Sequence, residues 1–183
     1  DHVPISADVH FSARVAFEAA RVCHKVRINP GNFTEKKGGP VVYSDVEFAA
    51  GLNKSSQELR HLIGICRKYQ AALRIGVNHG SLSSRIMSRY GDTPEGMVES
   101  AMEFLRVCSK EDFHNVVVSM KSSNTVLMVQ AVRLLVKTMT GEGRYYPVHL
   151  GVTESGDGEE GRIKSAVGMA PLLMEGMGDT LRV

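Results

Sequence analysis

The chain has 183 residues, 43% of them hydrophobic and 23% charged, the composition of a single soluble domain with a core of its own. A net charge of +2 gives no reason to expect a nucleic-acid partner, and no apolar run is long enough to span a bilayer. Cys23, Cys66 and Cys108 lie far apart without a CxxC pair, so they read as reduced, small core residues in a cytosolic-type compartment.

In chain order, residues 3–9 read as a strand and not as a secretory leader. Residues 11–22 read as a helix with Val15, Ala19 and Val22 on one face, and 25–29 as a second strand. Residues 33–53 form a long connection for a β/α unit. Ser55 and Glu58 have capping-box spacing and open a helix striped by Leu59, Leu62, Ile63 and Cys66. A third strand covers 72–78. Thr93, Pro94 and Glu95 start a helix that carries Met97, Ala101, Met102, Leu105 and Cys108 inward. Residues 115–120 read as a strand, and Asn124 caps a helix through Met139. A strand over 147–152, a glycine-rich acidic loop over 154–161 suited to a mobile lid, and a helix over 165–175 ending at Gly176 follow. The sequence stops inside a last strand beginning at Thr180, so an excised piece of a longer protein is expected. Six strands alternating with helices predict parallel β/α units.

The strand ends are unusual. Polar residues two apart share one strand face. Here they are Asp8 and His10, Arg27 and Asn29, Arg74 and Asn78 across Gly76, Ser119 and Lys121, and His149 and Thr153 across Gly151. Thr180 and Arg182 continue the pattern. Such positions line the active site of a parallel barrel, or the crevice of an open sheet. Arg27, Arg74, Lys121 and Arg182 outnumber the nearby acids Asp8 and Glu154. Grouped cations are costly without a counter-charge, so a phosphate or diphosphate ligand is expected. There is no Walker A segment and no GxGxxG, and His79, His114 and His149 lack zinc spacing. GVTESG contains no serine-hydrolase elbow.

Read as words, ADVHF (7–11), RINPGN (27–32), RIGVNHGSLS (74–83), YGDTPEGMVESA (90–101), SMKSSN (119–124), HLGVTESG (149–156) and GDTLRV (178–183) resemble the signature segments of the 4-hydroxy-3-methylbut-2-en-1-yl diphosphate synthase family. The HGSLS and MVESA wording is similar to the branch with a third, inserted domain, which includes plant plastid and some bacterial enzymes. The resemblance implies a (β/α)8 TIM-barrel fold. Six units are counted here, so residues 1–183 would be a partial TIM-barrel domain that binds substrate and lacks the first two strands. It implies reductive ring opening and dehydration of 2-C-methyl-D-erythritol 2,4-cyclodiphosphate in isoprenoid biosynthesis by the full-length protein, the fragment alone being inactive.

By the same resemblance, Arg27, Arg74, Lys121 and Arg182 hold the diphosphate, and Asn29, Asn78 and Ser119 add hydrogen bonds. Asp8 and His149 hold polar groups, and Glu154 is the main acid/base candidate. The family's four-iron four-sulfur cluster has its ligands in a C-terminal iron–sulfur domain outside this chain, so no cluster is expected here. Flavodoxin or ferredoxin would be the electron donor, in the cytoplasm of a bacterium or the plastid stroma of a plant. No nucleic acid or membrane partner is expected, and cut sheet edges predict self-association. The alternatives are an aldolase using Lys121 as a Schiff base, a dihydropteroate synthase-like barrel, or a non-catalytic anion-binding module.

Overall fold

The alternation of short apolar runs with amphipathic stretches produces parallel β/α units. The computed structural model describes residues 3–35 and 42–183. In order these hold β1 (Ser6–Asp8), α1 (Ala13–Val22), β2 (Lys25–Ile28), α2 (Pro30–Phe33), α3 (Asp45–Tyr69), β3 (Ala72–Asn78) and α4 (Ser84–Tyr90). They continue with α5 (Pro94–Lys110), β4 (Val116–Lys121), α6 (Thr125–Gly141), β5 (His149–Leu150), α7 (Gly158–Met174) and β6 (Thr180–Leu181). Strands β1 to β4 form one parallel sheet in sequence order, and β5 pairs parallel with β6. A parallel bridge between Val118 and Val148 joins the two groups, with the Val118 N–H donating to Pro147 O at 2.9 Å. Because every pairing is parallel, all the C-terminal strand ends lie on one rim.

Side-chain parity divides the sheet into two chemically different faces. Val26, Ile28, Leu73, Ile75, Val77, Val118 and Met120 are buried against the helices. On α3 and α5 the helix stripes that meet them are the anticipated ones, Leu59, Leu62, Ile63 and Cys66 on α3 and Met97, Ala101, Met102, Leu105 and Cys108 on α5, whereas on α1 the anticipated Val15 and Val22 are exposed and Ala16 and Ala20 are buried in their place. The opposite face carries Arg27, Arg74, Ser119 and Lys121 in place of the branched apolar layers usual inside a parallel barrel.

Three local expectations are corrected. Helix α3 begins at Asp45, ten residues before Ser55, and its capping box is Ser44 with Glu47. Ser55 is buried and its hydroxyl lies 2.6 Å from that of Thr34. Gly51 lies inside this helix despite its poor propensity, because a Cβ there would come within 2.9 Å of Arg85 Cδ. The long connection over 33–53 is therefore largely helix at its end, and residues 36–41 of it lie outside the described ones. Helix α4, unanticipated, is capped by Ser83, whose hydroxyl accepts from the Ile86 N–H. Finally, 158–161 is not lid but the first turn of α7, where Glu159 and Glu160 favour the positive helix end.

A buried ion network joins α4, α5 and the segment before α3. Arg85 is 2% exposed and donates Nη1 and Nη2 to the two Glu103 oxygens at 2.7 Å each. Its Nε donates to Glu35 at 2.9 Å. Burial alone would lower the guanidinium pKa, but the carboxylates of Glu103 and Glu35 outweigh it and hold the group charged. Arg85 and Arg89 also lie over the Phe48 ring.

Among the described residues β1 pairs only with β2 and β6 only with β5. Each outer edge therefore offers backbone groups next to exposed apolar side chains, Ile5 at one end and Leu181 at the other. The 183-residue polypeptide is expected to self-associate, its weight-average mass by light scattering rising with concentration. A constant monomer mass across the series would refute this.

Candidate anion-binding site at the strand ends

A cavity of about 410 Å³ opens at the rim of C-terminal strand ends. Asp8 of β1, Arg27 of β2, Arg74 and Asn78 of β3, Ser119 and Lys121 of β4, Glu154 after β5, and Arg182 after β6 line it. His10, Thr153, Ser155 and Gly156 complete much of its wall. Of the anticipated site residues, the structure brings together Asp8, Arg27, Arg74, Asn78, Ser119, Lys121, Glu154 and Arg182. Asn29 and His149 do not line the cavity. Asn29 is buried, accepts from the Gly31 N–H at 3.0 Å as the cap of α2, and donates to Ser81 Oγ at 2.9 Å. His149 is buried beside β6, its Nδ1 2.9 Å from Thr180 Oγ1.

The cations are not equally satisfied. Arg27 is 4% exposed and is gripped from several sides. Its Nη1 donates to Asp8 at 2.8 Å and lies 2.6 Å from His10 Nε2. Its Nη2 donates to Gly76 O at 3.0 Å and Asn78 Oδ1 at 3.3 Å. Partial burial pushes the Asp8 carboxyl up, but Arg27 outweighs this and leaves it below the usual carboxylate range. Among the described residues Arg74, Lys121 and Arg182 make no ion pair, and the buried Nε atoms of Arg27 and Arg74 have no hydrogen-bond partner. Burial, then the charge of Arg27, pushes the Arg74 pKa down. Burial, then the positive charges of Arg74, Arg182 and Arg27, pushes Lys121 down to about 8. Four cations against two carboxylates, with unpaired donors, leave the cavity with a surplus of positive charge.

Two glycines outside the polar pattern make room for this arrangement. A Cβ on Gly76 would run into Arg27 Nε. A Cβ on Gly151 would lie 2.9 Å from Lys121 Nζ and 3.0 Å from Arg182 O. The signal was present as a glycine in the middle of an apolar strand between polar residues. Gly76→Ala is expected to dislodge Arg27 and weaken binding of inorganic diphosphate about tenfold or more by calorimetry. Unchanged affinity would show that Arg27 reaches the anion another way. His10 and Thr153 belong to the two-residue pattern, whereas Ser155 reaches the cavity only through the loop after β5. In that loop Glu154 has φ 53, a left-handed conformation that an ordinary side chain seldom adopts.

The thiols do not fit an iron–sulfur cluster. Among the described residues no group of three His, Cys, Asp or Glu side chains is placed to hold a metal. Cys66 and Cys108 are buried, and burial pushes their thiols up to about 11 and about 12, as for inert core cysteines. No helix among the described residues is long and apolar enough to cross a membrane.

Fold and site define an α/β barrel domain with a cationic pocket at the C-terminal ends of its parallel strands. Residues 1–183 match the GcpE TIM-barrel domain, and the chain belongs to that family. It is 59% identical over 183 residues to 4-hydroxy-3-methylbut-2-en-1-yl diphosphate synthase (flavodoxin) of Bacteroides fragilis, covering 99% of this chain and 29% of the relative. The enzyme of the same name from Parabacteroides distasonis is 58% identical over 182 residues, covering 98% of this chain and 30% of the relative. The chloroplastic 4-hydroxy-3-methylbut-2-en-1-yl diphosphate synthase (ferredoxin) of Arabidopsis thaliana is 53% identical over 184 residues, covering 100% of this chain and 25% of the relative. The chain thus spans less than a third of the length of these relatives.

Proposed function

We propose that this chain is the substrate-binding barrel of a 4-hydroxy-3-methylbut-2-en-1-yl diphosphate synthase, and that it holds 2-C-methyl-D-erythritol 2,4-cyclodiphosphate by its diphosphate. The observation that carries this reading is the convergence of Arg27, Arg74, Lys121 and Arg182 on one cavity with unpaired donors. The names of the similar relatives supply the reaction class for this reading. Opening a cyclic diphosphate at one ester bond leaves a linear diphosphate that carries one more negative charge than the ring did, on its new terminal phosphoryl group. Cations fixed around the cavity stabilise that developing charge without having to reorganise. Asn78 and Ser119 orient the ligand by hydrogen bonds, and Asp8 keeps Arg27 in place. Glu154, exposed at the cavity edge, serves the proton transfer that accompanies loss of water.

The reduction needs electrons that no described residue supplies. The relatives' names point to flavodoxin or ferredoxin as the donor class. The cluster that the resemblance implies would be held by residues other than these thiols, so no step is assigned to it. As to architecture, the six parallel strands would be part of an eight-stranded barrel.

The test is calorimetry of the cyclic diphosphate with this chain, alongside turnover by the intact polypeptide that carries it, with reduced flavodoxin or ferredoxin. Saturable binding, displaced by inorganic diphosphate and weakened by salt, supports the reading. No binding at low ionic strength would overturn it. The depressed Lys121 is also the kind of amine that forms a Schiff base. Borohydride treatment with dihydroxyacetone phosphate is expected to leave Lys121 unlabelled, and labelling would favour an aldolase.

A further inference from the structure

We propose that His149 is a positioning residue, and that its contact with Thr180 holds Arg182 over the anion cavity. The inference deepens the diphosphate-binding reading and rests on it for the identity of the anion. Strand β6 is very short, and its residues are exposed. It is attached to β5 by the Asp179 and Thr180 N–H groups, which donate to Val148 O at 2.8 and 3.3 Å, and by the Arg182 N–H, which donates to Leu150 O at 3.0 Å. Two side chains reinforce this seam. Asp179 Oδ2 accepts from the Val148 N–H at 2.8 Å, and His149 Nδ1 lies 2.9 Å from Thr180 Oγ1. His149 and Thr180 are register partners, and Arg182 follows two residues later on the same face. Whatever fixes Thr180 therefore fixes the direction in which Arg182 leaves the strand. A two-residue strand paired on one side would otherwise fray easily.

The electrostatics suit a neutral, structural imidazole. Burial, then the positive charges of Arg74, Lys121, Lys25 and Arg182, pushes His149 down to about 4. A neutral ring has one N–H and one lone pair. Its Nε2 is buried without a partner. In a positive field the lone pair is better placed there than a stranded N–H, which assigns the proton to Nδ1 and makes it the donor to Thr180 Oγ1. A ring in this state is set to hold Thr180 and has no titration near neutrality with which to move substrate protons.

The experiment is a double-mutant cycle on the intact polypeptide, read as affinity for inorganic diphosphate by calorimetry, with melting temperatures measured alongside. Thr180→Val, which removes the hydroxyl and keeps the shape, is expected to weaken binding about tenfold. Thr180→Ser restores the hydroxyl and is expected to recover most of that loss. Arg182→Gln weakens binding by itself, and adding Thr180→Val to it should cost nothing further, since the hydroxyl acts through the guanidinium. His149→Asn, which keeps an N–H near the Nδ1 position, should retain more affinity than His149→Ala at similar melting temperature. Additive losses in the cycle, or no loss in Thr180→Val, overturn the positioning role while leaving diphosphate binding intact. A wild-type protein that does not bind diphosphate overturns both.

Discussion

Replacing Glu103 by alanine is expected to destabilise the protein by about 3–5 kcal/mol, the usual cost of removing one partner from a buried ion pair. The reason is the burial of Arg85, which is 2% exposed and has two of its donors on that carboxylate. Glu35 would be left as its remaining acid, bonded through Nε alone. A guanidinium left with two unpaired donors cannot shed its charge at any ordinary pH, so the structure must open to water or rearrange. Chemical denaturation with melting curves decides this, and a fall in Tm of about 10 °C is the rough expectation for a domain of this size. Glu103→Gln should cost less, since it keeps the shape and an acceptor oxygen. Wild-type stability in Glu103→Ala would show that Arg85 is more accessible than its burial indicates. The effect should not depend on added diphosphate, since Arg85 and Glu103 stand apart from the cavity.

The second large effect concerns Lys121. Lys121→Ala is expected to weaken diphosphate binding by about 1.5–3 kcal/mol, roughly 10- to 100-fold, as for a lost charge-assisted hydrogen bond. The same residue should give binding a pH dependence. In the free protein burial and the neighbouring cations put the ammonium at about 8. A bound anion favours the charged form and raises that value. Binding is therefore coupled to proton uptake above the free-state pKa. Affinity should be level below about pH 8 and fall as pH rises through it, until the bound form also loses its proton. Calorimetry at several pH values in buffers of different ionisation enthalpy would show the proton uptake directly. A pH profile unchanged in Lys121→Ala would assign the titration to another group.

His149 has the opposite consequence, for stability in place of binding. Its folded-state value is depressed to about 4, below that of an unfolded imidazole. The unfolded chain then binds the extra proton first as the solution is acidified. Stability contributed by the neutral ring is fully present near neutrality and is lost as pH falls toward about 4. Acid unfolding monitored by circular dichroism should shift to lower pH in His149→Asn. If the two transitions coincide, the buried ring makes no such contribution.

Much of this molecule was legible in its one-dimensional pattern. The strands around Val26, Leu73 and Val118 announce themselves because a buried β-strand needs apolar residues on the side that meets the helices. Asn124 and Thr93 mark helix starts because their side chains satisfy backbone donors that the helix leaves free, and both do so here. The polar residues two apart at the strand ends located the site, since in a parallel sheet such residues must all face the same rim. Arg27, Arg74, Lys121 and Arg182 were accessible to that argument.

Other features depended on contacts between distant segments. The start of α3 is not legible locally because Gly51, Asn53 and Ser55 have poor helix propensity, whereas in the fold Gly51 packs against Arg85, Ser55 meets Thr34 and Ser44 caps the helix with Glu47. Asn29 looked like a ligand residue by spacing, yet Gly31 and Ser81 take its hydrogen bonds. His149 shares a face with Gly151, but its burial beside Thr180 puts it under the seam and not on the cavity wall. Sequence by itself determined which faces are apolar, which strand ends are polar and where the positive charge collects, because these follow from residue type and the period of two. Only the tertiary structure decided which polar groups satisfy one another and which remain open to a ligand, because that depends on distances of a few ångströms between segments that the chain order does not bring together.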